Sequence, residues 1–362
     1  MPAAVINLIE PTLATEAGHC LSFVAALCGA ADEKQAFRLW INRRAELELG
    51  DRRIEVRRHF SRRLRRPQSF LLYRRLLRSP GKLFITTAGR GDLLLLDWAA
   101  SGEIPPAKAY LYVHWFKAGG KKLATLKKIA ARQPNLVILA PTPSVIAPFQ
   151  AAGFRHALVV PYPVSSEPRP AEATGFRHLL FAGAARQDKG FSHVVDLVAH
   201  LQAGGLDIPV TLQVSAEHFG KYDAATQADI QRLRGLAYPH LRLLPETLDA
   251  VAYAGQFAGA ICIQLYDPND FADRVSGVTL DAFLAGSPIV ATAETWMARM
   301  AERFGAGLAT RSFSPPEVLG AARAIIRRRA AHQALDHGVD HAHTAPRGCA
   351  KSTPRHGIAR PR

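Results

Sequence analysis

The chain has 362 residues, which at roughly 100–200 residues per domain suggests about two domains. Hydrophobic residues make up 48% and charged residues 21%, a globular balance that excludes a disordered or fibrous chain. Lys and Arg total 46 against 30 Asp and Glu, a formal net charge of +16, which favours anionic partners such as nucleic acid, an acidic membrane face or phosphate-bearing molecules.

At the N-terminus no basic stretch precedes an apolar run, so no signal peptide is expected. A short apolar run at 5–8 predicts the first strand, and Glu16-Ala17-Gly18-His19 then opens an apolar helix. The apolar stretch 17–31 contains His19, Cys20 and Ser22 and falls short of the ~20 residues of a membrane-spanning helix. Any membrane contact is therefore expected to be peripheral. Cysteines at 20, 28, 262 and 349 include no Cys-x-x-Cys. They read as reduced thiols of a cytoplasmic protein and exclude a zinc site built on paired thiolates.

Between Arg43 and Arg78 stand thirteen Arg against four acids, a local excess of nine positive charges. Apolar and aromatic residues interleave with the Arg from Ser69 to Arg78, as suits a helix lying in a lipid interface or a groove for a phosphate-linked acceptor. A solvated basic face and a nucleic-acid surface are the alternatives, though no nucleic-acid-binding motif is readable.

Further strands are predicted at 83–87, 109–114, 136–140 and 158–160, then at 179–182, 210–214, 241–244, 260–265 and 289–291. Their apolar runs are continuous rather than alternating, as a parallel sheet covered on both faces requires. Helical patterns separate them, for example at 191–202, 224–236, 248–257 and 295–304. The class is therefore α/β, with two Rossmann-like doubly wound domains facing a cleft. Four prolines, 161, 163, 168 and 170, form a semi-rigid linker. They divide the chain into a first domain over 1–160 and a second over 161–330, each with about five strands. A plausible helix begins near Glu317, and residues 331–362 are expected to form a disordered basic tail. That tail carries His332, His337, His341, His343 and His356, which also fits a metal-binding tract or an altered terminus.

Open α/β sheets bind ligands at the carboxyl ends of their strands. His114 stands at such an end and could act as a hydrogen-bond donor or base toward a hydroxyl; a satisfied structural histidine is the plainer alternative. In the second half, a strand enters Ala182-Gly183-Ala184-Ala185, followed by Arg186, Lys189 and Gly190 opening a helix. Small residues allow close backbone approach, Arg186 offers a planar fork for phosphate and Lys189 a compact charge. The helix start adds its positive dipole end. Solvated cations on a surface turn would read the same way. Later, Ser276, Gly277 and Val278 lead into a short helix ending at Gly286, a second anion site, and Asp281 one turn on could accept from a ribose diol. Asp273 lies eight positions before Asp281.

Together these pieces, with Gly-x-Pro-Ile-Val-Ala-Thr over 286–292, resemble the donor-binding domain of the GT-B glycosyltransferases, above all glycosyltransferase family 4. Residues 178–310 carry the likeness, and the first half follows it in outline. The resemblance implies a retaining transferase in which Arg186 and Lys189, both expected to be exposed cations in the cleft, bind the donor diphosphate, Asp281 the ribose and Asp273 the sugar. It places Gly18 and His19 in an N-domain loop that touches donor or acceptor. It implies a UDP or GDP sugar as substrate with no metal, and a glycan or lipid-diphosphate-linked acceptor in cell-surface polysaccharide assembly. Both acids are Asp where that family usually has Glu, and a Ser-Gly pair replaces a single Gly between them. A non-catalytic member of the fold, binding nucleotide or glycan without turnover, stays open beside this reading.

Overall fold

The computed structural model describes residues 5–15, 19–47, 49–117, 119–164, 175–214 and 223–343, with His19 and 332–343 as backbone alone. The first sheet is built from β1 (Ile6–Ile9), β2 (Phe37–Asn42), β3 (Ile54–Phe60), β4 (Lys82–Ile85), β5 (Ala109–Tyr112), β6 (Val137–Ala140) and β7 (His156–Val159). The second holds β8 (His178–Phe181), β9 (Val210–Gln213), β10 (Leu241–Leu244), β11 (Ala260–Gln264), β12 (Ile289–Thr292) and β13 (Gly307–Thr310). Their orders are β3-β2-β1-β4-β5-β6-β7 and β10-β9-β8-β11-β12-β13, with every strand pair parallel. Both orders double back at the first strand of the sheet, the switch point that opens a crevice at the carboxyl ends.

Helices of the first half are α1 (His19–Gly29), α2 (Arg65–Arg78), α3 (Arg90–Ala99), α4 (Gly120–Arg132) and α5 (Pro143–Ala151). Those of the second are α6 (Phe191–Ala203), α7 (Ala224–Gly235), α8 (Ala250–Gly255), α9 (Pro268–Phe271), α10 (Gly277–Leu284), α11 (Trp296–Phe304) and α12 (Pro315–His343). Each sheet carries one apolar core on either face. Central strands such as β9 and β11 are buried at every position; β11 accordingly reads as an apolar run up to Gln264, whereas Thr211 and Gln213 interrupt the run in β9.

Among the described residues seven and six strands replace the five and five expected. β2 and β3 fall where the sequence reads as charge, since Arg38, Glu55, Arg57 and Arg58 punctuate their apolar residues. β3 is the sheet edge, where outward charges discourage pairing with another chain. The tail also differs in its first part. α12 runs past Ala331 to His343, and residues 344–362 lie outside the described residues. Among the described residues no helix is long and apolar enough to cross a membrane.

The two halves touch through loops at strand carboxyl ends. Lys117, after β5, pairs with Asp270 at 3.1 Å, and the Thr142 hydroxyl, after β6, donates to the Asp273 carbonyl at 3.4 Å.

Candidate functional site

The phosphate-type turn begins where β8 ends. Gly183 holds φ +89°, and its N–H donates to Gln213 Oε1 at 2.7 Å on the end of β9. A Cβ on Gly183 would lie 3.2 Å from both Lys189 Nζ and Val278 Cγ2, so the turn, Lys189 and the start of α10 converge on one spot. Residues Gln187–Lys189 make a 3-10 turn, closed by Gly190 at φ +72° ahead of α6. That turn is also held from α7. Gln187 Nε2 donates to Asp229 Oδ2 at 2.9 Å and to Thr226 Oγ1 at 3.2 Å, and Ser192 donates to the same Asp229 oxygen.

Arg186 is exposed and pairs with Asp188. Lys189 departs from the exposed cation expected: it is partly buried, its Nζ 5.7 Å from the centre of the Tyr266 ring. Burial first, then the neighbouring Arg186 and Arg274, push its ammonium down to about 8, with Asp188 opposing. Arg274, which sequence reasoning passed over, lies 3.8 Å from the Asp188 carboxylate. The site thus gathers three cations around one acid.

Ser276 caps α10 by accepting from the Thr279 N–H at 3.4 Å. The amides of Gly277 and Val278 precede the first intrahelical bond, from Leu280 to Ser276, and have no acceptor within the helix. Asp281 sits one turn further, and Tyr253 of α8 donates its hydroxyl to Asp281 Oδ2 at 3.0 Å. Burial and the Asp281 charge hold the Tyr253 phenol well above its usual range, so it stays a donor. Asp273 lies at the domain contact, its carboxylate paired with Arg299 at 2.7 Å.

Across the contact, His114 Nε2 lies 2.7 Å from the Thr86 carbonyl, which places the proton on Nε2 because a carbonyl only accepts. Its ring packs among Phe23, Tyr112 and Tyr162. Thr86 is fastened in turn to Glu10, a fully buried carboxylate at the end of β1 that also accepts from Thr12 and Thr87. Glu10 carried no sequence signal beyond its place after a strand. Burial chiefly, with Cys20, Tyr112 and Asp281 behind it, raises the Tyr162 phenol, so it stays protonated. Gly18 lies outside the described residues, and His19 opens α1.

Two facing doubly wound domains, the second with a glycine turn and an acid-bearing helix at its strand ends, make the GT-B architecture. Solved glycosyltransferases share it with this chain. Anabaena HepE in complex with UDP and glucose is 14% identical, with TM-score 0.60, covering 92% of this chain and 99% of that one. Sucrose-phosphate synthase from Thermosynechococcus elongatus is 13% identical, with TM-score 0.64 and 90% of each chain covered. WaaG, a glycosyltransferase involved in lipopolysaccharide biosynthesis, is 12% identical, with TM-score 0.59, covering 89% and 90%. No protein-family model and no curated protein matches the chain.

Proposed function

We propose that the chain is a glycosyltransferase that moves a sugar from a nucleoside-diphosphate donor, of UDP or GDP type, to a glycan or lipid-diphosphate-linked acceptor with retention. The observation that carries this reading is the convergence of Gly183, Lys189 and Val278 beside Arg186 in a GT-B cleft. In the reaction the bond from the anomeric carbon to the diphosphate breaks, an acceptor hydroxyl oxygen forms the new bond on the same face, and the hydroxyl proton passes to the departing diphosphate. Negative charge grows on the leaving phosphate oxygen, where Arg186, Lys189 and the α10 amides would stabilise it as preorganised charge. No metal is needed for that task. Asp281, steadied by Tyr253, would take the ribose hydroxyls; Asp273 and His114 would flank the sugar and the acceptor hydroxyl.

A role in cell-surface polysaccharide assembly is supported by the likeness to WaaG and by the basic face. On α2, Leu72, Tyr73 and Leu76 are buried while Arg66, Arg74, Arg75 and Arg78 are exposed. Leu64 and Leu71 stand among them, 57% and 64% exposed. Arg beside exposed leucine suits an anionic bilayer surface and its lipid-linked acceptor better than a duplex groove.

Thermal unfolding in the presence of UDP, GDP, ADP and their sugar conjugates tests the donor site. A specific ligand at a hundredfold excess over Kd stabilises by about 2.7 kcal/mol. One nucleotide should raise Tm, and Arg186→Ala should lose that shift while keeping its own fold. No shift with any nucleotide overturns the reading.

A further inference from the structure

The segment after β11 brings to the phosphate turn a cation that the Arg-x-x-Lys-Gly motif does not contain. The Asp267 N–H donates to the Asp188 carbonyl at 3.0 Å, which ties this segment to the 3-10 turn. Beyond α9, the Arg274 guanidinium lies 4.8 Å from the centre of the Phe271 ring, itself 2% exposed. Stacking on a buried ring fixes the plane of the fork. Arg274 Nη1 is 3.8 Å from the same Asp188 oxygen that pairs with Arg186.

Three features make this more than a surface ion pair. Among the described residues one carboxylate faces two guanidiniums and leaves most of their donors without a carboxylate partner. The 3.8 Å separation is too long for a hydrogen bond, so little is lost when Arg274 turns to a better acceptor. Arg186, Lys189 and Arg274 against Asp188 leave an excess of two positive charges, the complement of a diphosphate bridge with one charge on each phosphate. Burial and Arg186 also push Arg274 downward from its usual range, and Arg274 acts the same way on Lys189, so the three cations sit within electrostatic reach of one another.

We infer that Arg274 is a third phosphate-binding cation, which closes with Arg186 and Lys189 on the diphosphate of a nucleoside-diphosphate donor. The inference rests on the donor-site reading above and adds to it a residue outside the motif. Asp188 holds the two guanidiniums side by side, and a diphosphate outcompetes it by offering two forks' worth of charged acceptors. The Asp273 carbonyl, next in sequence, accepts from Thr142 of the other half. The same short segment therefore serves both the phosphate site and the domain contact.

Calorimetric titration of UDP, GDP, ADP and inorganic pyrophosphate into the full chain provides the test, with Arg274→Ala, Arg274→Gln, Arg186→Ala and Lys189→Ala as variants. Arg274→Gln keeps a flat polar group over Phe271 without the charge, which separates charge from packing. For the diphosphate that binds the parent, Arg274→Ala and Arg274→Gln should each raise Kd at least tenfold, and pyrophosphate should weaken in parallel. Binding within twofold of the parent in a folded Arg274→Gln, while Arg186→Ala loses the ligand, overturns the role of Arg274 and leaves the donor site standing. Unchanged binding in Arg186→Ala and Lys189→Ala as well, or no binding by the parent, overturns the donor site and this inference together.

Discussion

A Cβ on Gly190 would sit 1.9 Å from the carbonyl oxygen of Leu265. The turn that carries Arg186 and Lys189 is therefore pressed against the end of β11, and only a residue without a side chain closes it. Gly190 also holds φ +72°, which costs an L-residue about 1–3 kcal/mol by itself. Gly190→Ala is expected to destabilise the second domain by more than about 2 kcal/mol and to weaken diphosphate binding. Urea unfolding and nucleotide titration check both; parental values in each would show that the turn relaxes freely.

If the proposed donor site is right, Lys189 should make nucleotide affinity depend on pH. Its ammonium titrates near pH 8 rather than the ordinary 10.5, chiefly through burial. A bound diphosphate favours the charged form, so Kd should be flat below pH 7.5, weaken as pH rises through 8, and binding should take up a proton there. Stability runs the other way. The unfolded chain holds the Lys189 proton to higher pH than the folded one, so this group's contribution to stability rises between pH 8 and 10.5 and is absent below 8. Weaker binding at high pH would thus not reflect unfolding at Lys189. Calorimetry in buffers of different ionisation enthalpy reads the proton uptake, and Lys189→Arg should flatten the profile.

Glu10 ties the carboxyl ends of β1 and β4 together. Its two oxygens accept from the Thr12 amide and from the hydroxyls of Thr12, Thr86 and Thr87, with Thr86 at 2.7 Å. Glu10→Gln turns an NH2 toward two of these donors, and an unmet buried donor costs about 1–3 kcal/mol. A loss of about 2 kcal/mol is expected in urea unfolding. Because the Thr86 carbonyl holds His114, transfer to acceptor should slow while donor binding is kept. Equal loss of donor binding would place Glu10 in the wrong half of the chemistry.

Much of the fold was legible because buried parallel strands are largely apolar, as Leu179–Phe181 of β8 and Ala260–Ile263 of β11 are. β3 was hidden because an edge strand turns one row of residues to water, and Arg there reads as a charge run. At the site, Gly183, Lys189 and Ser276 announced themselves through local spacing. Arg274 and Tyr253 did not, because each acquires its meaning from a partner far along the chain, Asp188 and Asp281. The partial burial of Lys189 was equally invisible, since it comes from the Tyr266 ring across the turn.

The basic face supplies the last prediction. Arg62, Arg63 and Arg66 are exposed beside Leu64 at the start of α2, whereas Arg53 and Arg57 are partly neutralised by Asp51 and Glu55. The first group should therefore dominate attraction to an anionic surface, at about 1 kcal/mol per cation near the bilayer. Reversal of all three to Glu should sharply weaken co-sedimentation with vesicles rich in anionic lipid and leave nucleotide-induced Tm shifts intact, because the turn that carries Arg186 and Lys189 lies in the other domain. Raised salt should weaken the parent's vesicle binding, while the contribution of Leu64 and Leu71 persists and makes Leu71→Ser additive with the charge reversal. Unchanged sedimentation of the triple variant would remove the membrane from the acceptor side of the proposal. Loss of oligonucleotide binding in its place, with a steep salt dependence in the parent, would instead assign the face to nucleic acid.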